Sequence, residues 1–186
     1  MQAVIQLVST LFNLVIFVVL LRLWLQYVRA DFYNPFSQFV VKATQPVVGP
    51  LRRAIPPVGN IDSATLVFAY ALVCAKLGFL LPQGGYQFSA DFPLLALVSL
   101  IKAAGEMVFW MLLIRAILSW VSQGRSPIEY VLHQLVEPIC APVRRIIPAM
   151  GGLDFSILII FLLMQFANSL IGQSLLTGWY YEVWYL

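Results

Sequence analysis

A chain of 186 residues that is 61% apolar and 10% charged, with a mean hydropathy of +0.89, lies outside the range of soluble domains, which are about 45–50% apolar and roughly 25% charged. This composition excludes a water-facing enzyme built around its own core and points to a polytopic membrane protein, because segments this apolar find their partner in lipid. Eleven Lys and Arg against eight Asp and Glu give +3, an excess that bears on orientation, since basic loops stay cytoplasmic, and not on nucleic acid.

Met1 to Leu21 carry no charge and the apolar run continues to about Val28, which predicts a first span over about residues 3–28. No Lys or Arg precedes Arg22, so the basic n-region of a secretory signal is missing and the segment is expected to stay as a membrane helix. A second span is predicted over Ser63–Leu81, interrupted only by Lys76, and closes at Pro82-Gln83-Gly84-Gly85. A third runs over Leu94–Val121 with Lys102, Glu106 and Arg115, and a fourth over Phe155–Leu176 without charge. Trp179, Tyr180, Tyr181, Trp184 and Tyr185 then read as an interfacial aromatic belt. The expected fold is therefore all-α, with four transmembrane helices.

Residues Pro35–Asp62 align without gaps on Pro127–Asp154, with nine of twenty-eight positions identical. The shared string is P-x3-P-x-R-R-x-I-P-x2-G-x2-D, and upstream, with a one-residue slip, Arg22 faces Arg115. The chain thus divides into two helix-loop-helix repeats, residues 1–90 and 91–186. Two spans per repeat make the copies parallel, unlike the inverted repeats of many transporters. The loops holding Arg29, Lys42, Arg52 and Arg53, and Arg125, Arg144 and Arg145, are expected in the cytoplasm, with both termini periplasmic.

Each basic loop contains a stretch of helical spacing. In the second, Ile128, Val131, Leu132, Leu135, Val136 and Ile139 alternate with polar residues at the period of an amphipathic helix. Ser126, Pro127 and Glu129 supply the cap, the first-position proline and the capping box, and Asn34-Pro35 repeats the start. Pro46 and Pro138 are expected to end these helices after about three turns, leaving them at the interface or packed on the spans.

The strings PVVGPLRRAIPPVGNID and PICAPVRRIIPAMGGLD, each between two spans, resemble the duplicated motif of the YggT (YlmG-like) family, and the resemblance covers nearly the whole chain. It implies a small bacterial inner-membrane protein with relatives in plastids and no settled molecular activity. Its associations are with cell division, nucleoid or envelope organisation and osmotic tolerance, and in plastids with maturation of membrane complexes.

Two residue sets carry candidate chemistry. The first is a lipid- or partner-binding loop: Arg52, Arg53, Arg144 and Arg145, shaped by Pro50, Pro56, Pro142 and Pro148. Guanidinium groups there suit phosphate or carboxylate. Topology and headgroup anchoring are the plainer reading of these arginines. Asp62 and Asp154 each begin a span, where a carboxylate caps the helix and can pair with the Arg doublet or with Arg22 or Arg115. Arg22 and Arg115, about two turns inside their spans, are expected to snorkel, a bundle-internal role being the alternative.

The second set is an intramembrane polar site of Glu106, Lys102, Lys76, Arg115, Arg22, Gln165 and Asn168, with Glu106 facing the bundle interior. Lys102 and Glu106 form an i, i+4 pair that equally serves as a packing ion pair. Ala71, Ala75 and Gly78 make a small-residue stripe on the second span, open to bundle packing or an oligomer seam. One histidine, His133, and two cysteines, Cys74 and Cys140, give no metal or redox spacing, so neither a cofactor nor catalysis is expected. The leading expectation is a scaffold or assembly factor acting on membrane lipids and membrane or division proteins, with homo-oligomers possible partners and nucleic acid excluded. Its rival is an oligomeric ion or osmolyte channel using the mid-span charges.

Overall fold

The structure, a computed structural model, describes residues 2–83, 90–121, 127–146 and 155–171. Six helices follow one another: α1 (Gln2–Tyr27), α2 (Pro35–Ala54), α3 (Ser63–Gln83), α4 (Phe92–Val121), α5 (Pro127–Ile146) and α6 (Phe155–Leu170). The repeat is also a repeat of boundaries. Pro35 and Pro127 open α2 and α5, Ala54 and Ile146 close them, and Ser63 and Phe155 open α3 and α6, each pair 92 residues apart. Each copy packs as a three-helix unit, α2 against α1 and α3, and α5 against α4 and α6, while α4 joins the copies by packing on α1 and α3.

Residues 3–27, 63–83 and 92–119 are long and apolar enough to cross a membrane. Helix α6 has 16 residues, about 24 Å at 1.5 Å per residue, which is less than the roughly 30 Å hydrocarbon core. The expected fourth span is therefore a shorter apolar helix here. The rest of that span, the aromatic tail, Ser126 and the turn at Gly84-Gly85 lie outside the described residues.

The prolines do not stop the interfacial helices. Helix α2 runs through Pro46 and Pro50 to Ala54, and α5 through Pro138 and Pro142 to Ile146, so each has 20 residues rather than about three turns. A proline inside a helix removes one N–H and crowds the preceding turn. Here each pair is spaced i, i+4 and all four prolines are exposed, so the lost bonds fall on the outer face while the buried face stays continuous. That face is Ser37, Val40, Thr44 and Val48 in α2, and Val131, Leu132, Leu135, Val136 and Cys140 in α5. Cys140 is fully buried on that face.

Two sharp turns set the loop of the first copy. Helix α1 ends with Arg29 at φ 54°, and Ala30 N–H donates to Leu25 O at 3.0 Å, the six-to-one bond of a left-handed helix cap. After α2, Val58 and Ile61 exchange backbone bonds of 3.1 Å around Gly59, whose φ of 61° is a conformation side chains disfavour. Arg29 Nη2 donates to Asn60 Oδ1 at 3.1 Å, tying the turns together. One continuous core runs through both copies, from Val19, Leu21 and Leu25 of α1 through Val73 and Leu77 of α3 to Met111 of α4.

Candidate functional sites

The first site lies where the loop helix of copy one meets its spans. Arg22 sits in α1 only 1% exposed, and its guanidinium reaches sideways to α2. Nη1 donates to Thr44 Oγ1 at 2.8 Å and to Val41 O at 3.3 Å, and Nη2 donates to Gln45 Oε1 at 2.8 Å. The expectation that Arg22 snorkels is thus corrected. Thr44, with Ser37 one of two polar residues in the buried stripe of α2, offers an acceptor inside the protein, where both terminal guanidinium nitrogens are hydrogen-bonded.

A second arginine closes the same corner. Arg52, in the last turn of α2, donates to Asp62 Oδ2 from Nε at 3.0 Å and from Nη2 at 2.6 Å, and its Nη2 also meets Gln26 Oε1 of α1 at 2.8 Å. Thr44 and Arg52, eight residues apart on α2, hold Arg22 and Gln26, only four apart on α1.

Asp62 is the N-cap of α3. Its carbonyl accepts from Leu66 N–H at 3.0 Å, and its carboxylate accepts from the Thr65 hydroxyl and backbone N–H. Burial pushes this carboxyl up, but the bonds from Arg52 and Thr65 outweigh burial and hold it below the ordinary carboxylate range. Two buried polar atoms of the corner, Arg22 Nε and Asp62 Oδ1, have no protein partner.

Copy two uses equivalent positions differently. Arg115 stands where Arg22 does, but Thr44 and Gln45 become Val136 and Glu137, and Arg115 Nη1 is buried without a partner. Arg144 donates from Nη1 to Glu137 Oε2 at 2.7 Å, and His133 Nε2 lies 3.7 Å from the same oxygen. Asp154 and Pro148 lie outside the described residues. Helix α5 is also held from the other copy: Trp24 Nε1 donates to Leu135 O at 2.8 Å and Asp31 N–H to Gln134 Oε1 at 3.0 Å.

Of the loop arginines, Arg52 and Arg144 are turned inward while Arg53 and Arg145 are exposed. Pro50 and Pro142 are exposed within their helices, and Pro56 is exposed in the loop after α2. Helix α2 carries Lys42, Arg52 and Arg53 and no acid, whereas α5 offsets Arg144 and Arg145 with Glu129 and Glu137.

The second site lies within the spans. Lys102 Nζ and Glu106 Oε1 are 3.7 Å apart on α4. They stand between two spaces. One is a small cavity of about 50 Å³ among α1, α3 and α4, where Lys76 is joined by Asn13 and Ser99. The other is a groove of about 380 Å³ between α4 and α6, lined also by Gln165, Asn168 and Phe109. The expected convergence of Lys76, Lys102, Glu106, Gln165 and Asn168 is present, but not in one interior site: the Glu106 side chain is 52% exposed, in the open groove. Arg22 and Arg115 line neither space. Asn13 and Ser99 escaped the sequence reading because isolated small polar residues in apolar helices carry no charge signal. Among the described residues no cluster of His, Cys, Asp and Glu could hold a metal. On α3, Ala71 and Ala75 are exposed rather than packed in the bundle.

The duplicated architecture has relatives. A Vibrio alginolyticus protein named for its position 3′ of proC is 66% identical over 177 residues, covering 94% of this chain and 96% of the relative. The YggT protein of Escherichia coli is 51% identical over 172 residues, covering 91% and 89%, and a Pseudomonas aeruginosa protein is 40% identical over 177 residues, covering 93% and 90%. None of these names states an activity. No solved structure matches the chain. The family model described as CCB3/YggT matches residues 1–83 and again 94–175, so the two three-helix units are two copies of one family element, and the chain belongs to the CCB3/YggT family.

Proposed function

We propose that the protein is a non-enzymatic scaffold or assembly factor of the bacterial inner membrane, presenting α2 and α5 on the cytoplasmic side to lipid or to membrane and division proteins. In this reading the chain crosses the membrane four times, the fourth crossing extending α6, and both termini are periplasmic. The observation that carries the reading is the division of labour within each Arg doublet. Arg52 ties the end of α2 to the cap of α3 and Arg144 bonds Glu137 within α5, while Arg53 and Arg145 face outward. A retention signal needs charge but no fixed backbone, whereas these charges end helices anchored along a whole buried face. At the other end of α2, Tyr33 and Phe39 are 91% and 65% exposed, so the outer side of this segment carries aromatic as well as basic groups, a mixture that suits an interfacial surface.

The test is photo-crosslinking in living cells from a reactive amino acid at Phe39 or Tyr130. Defined membrane-protein adducts that disappear in Arg53→Gln/Arg145→Gln, with the protein still folded and inserted, are the expected result. Adducts to lipid alone, unchanged by those substitutions, would count against protein partners, and a reporter after Leu186 active only in the cytoplasm would refute the orientation.

A permeation role is the second reading, favoured by the one cavity that Lys76, Lys102 and Glu106 share among the spans. Purified protein in proteoliposomes decides between the readings. Flux of K+, Na+ or H+ that depends on Glu106 would make this a permeation protein; no flux from folded protein is the result the scaffold reading expects.

A further inference from the structure

We propose that the groove between α4 and α6 seats a second copy of this chain, packed through the spans around Glu106. The starting point is an energetic misfit. A carboxylate midway along an apolar helix is costly when it faces hydrocarbon, yet the Glu106 side chain is 52% exposed and its Lys102 partner lies at 3.7 Å. Something polar has to complete the site, and it must donate to Glu106.

The groove itself contains that complement. Lys102 is a donor, Glu106 an acceptor, and Gln165 and Asn168 are amides able to do both. A lipid tail offers no donor, and head groups that do carry one lie at the membrane surface, about half a hydrocarbon core away from the middle of a span. A second copy related by a two-fold axis along the membrane normal brings its own Lys102 to the same depth, so that two ammonium groups face two carboxylates and amide meets amide. The patch is self-complementary in charge.

Space points the same way. A Cβ built on Gly105 meets nothing within 4 Å, so packing inside the chain does not demand a glycine there, although glycine disfavours a helix by about 1 kcal/mol relative to alanine. Gly105 lines the groove next to Glu106, with Ala167 on the facing helix. Small residues at such a seam let a neighbouring helix approach closely. The proposal concerns the spans and does not depend on what α2 and α5 bind.

The full chain with Cys74→Ala and Cys140→Ala, carrying Gln165→Cys, is oxidised in native membranes. The expected product is a disulfide-linked dimer, absent from a matched chain carrying Leu7→Cys instead, a position exposed on the far half of α1. Adding Gly105→Leu fills space that the protomer leaves open and should lower the dimer yield roughly tenfold or more, without changing helix content. Counting photobleaching steps of singly labelled, otherwise unaltered protein in dilute bilayers supplies the readout that needs no cysteine; two-step traces are expected. Single steps, no disulfide, or a yield that Gly105→Leu leaves unchanged would overturn the proposal and leave the groove to lipid or to the chain's own residues 172–186.

Discussion

In the first copy, a span arginine reaches the loop helix through Thr44 and Gln45, and a loop arginine ties the end of that helix to the cap of the next span. In the second copy the same arginine position, Arg115, has a buried Nη1 without a partner, the loop arginine turns to Glu137 on its own helix, and two bonds from Trp24 and Asp31 of the first copy hold the helix instead. Among the described residues, α2 is thus fastened from within its copy and α5 partly from outside. Among the described residues the two copies share their helix boundaries, and three aligned positions differ where their bonds do: Val41 against His133, Thr44 against Val136 and Gln45 against Glu137. The charge balance moved with them, since α2 carries three basic residues and no acid while α5 is balanced.

The comparison can be broken most forcefully at Arg22. Arg22→Met strands Thr44 and Gln45 and should destabilise the first copy by about 3 kcal/mol, the scale for breaking a buried charged hydrogen-bond set; Arg115→Met should lose less than half of that, and unfolding in detergent by denaturant reads both. Next in size, Asp62→Asn removes the counter-charge of Arg52 and weakens the α3 cap, a loss of about 2 kcal/mol. The same bond predicts a pH dependence. Because the folded carboxyl of Asp62 is held below its ordinary value, its contribution is fully present above about pH 3.9, the unfolded carboxylate value, and is lost as pH falls from there through the lower folded value. Asp62→Asn should flatten that acid limb of the stability curve, which pH titration of the unfolding midpoint would show.

A gain sharpens the same contrast. Val136→Thr restores to α5 the acceptor that Thr44 supplies in α2 and should stabilise the second copy by about 1 kcal/mol if it satisfies Arg115; a loss instead would mean that the guanidinium of Arg115 stands elsewhere relative to α5. The smallest effects belong to the exposed members of the doublets. Arg53→Gln and Arg145→Gln should each change stability by no more than about 0.5 kcal/mol, while altering whatever binds the outer faces, so stability and partner capture should separate.

Much of this was legible in the residues. The apolar runs locate α1, α3 and α4, the 92-residue offset locates the copies, and Asp62 at the head of a span with an Arg doublet ten residues earlier signals both the cap and the ion pair. Arg22 was not legible, because a snorkelling arginine and an inward one occupy the same depth in a helix; only Thr44, a polar residue in the buried stripe of α2, hints at the difference. The helix ends are not legible, because proline stops a helix in isolation, whereas Pro46 and Pro50 lie on a face where the missing N–H groups fall outside the packing. The charge of Glu106 points to company in the interior, and the structure places it both on the wall of the small cavity with Lys76 and, 52% exposed, in the open groove.

Hydrogen exchange on the protein in lipid nanodiscs tests most directly that the copies are fastened by different means. Relative to the unaltered chain, Arg22→Met should speed exchange across α2 and leave α5 near its starting rate, and Trp24→Phe should speed exchange around Leu135 of α5 and leave α2 unchanged. If both substitutions loosen both helices equally, or Trp24→Phe loosens only α2, the two copies share one fastening and the account of their divergence is wrong.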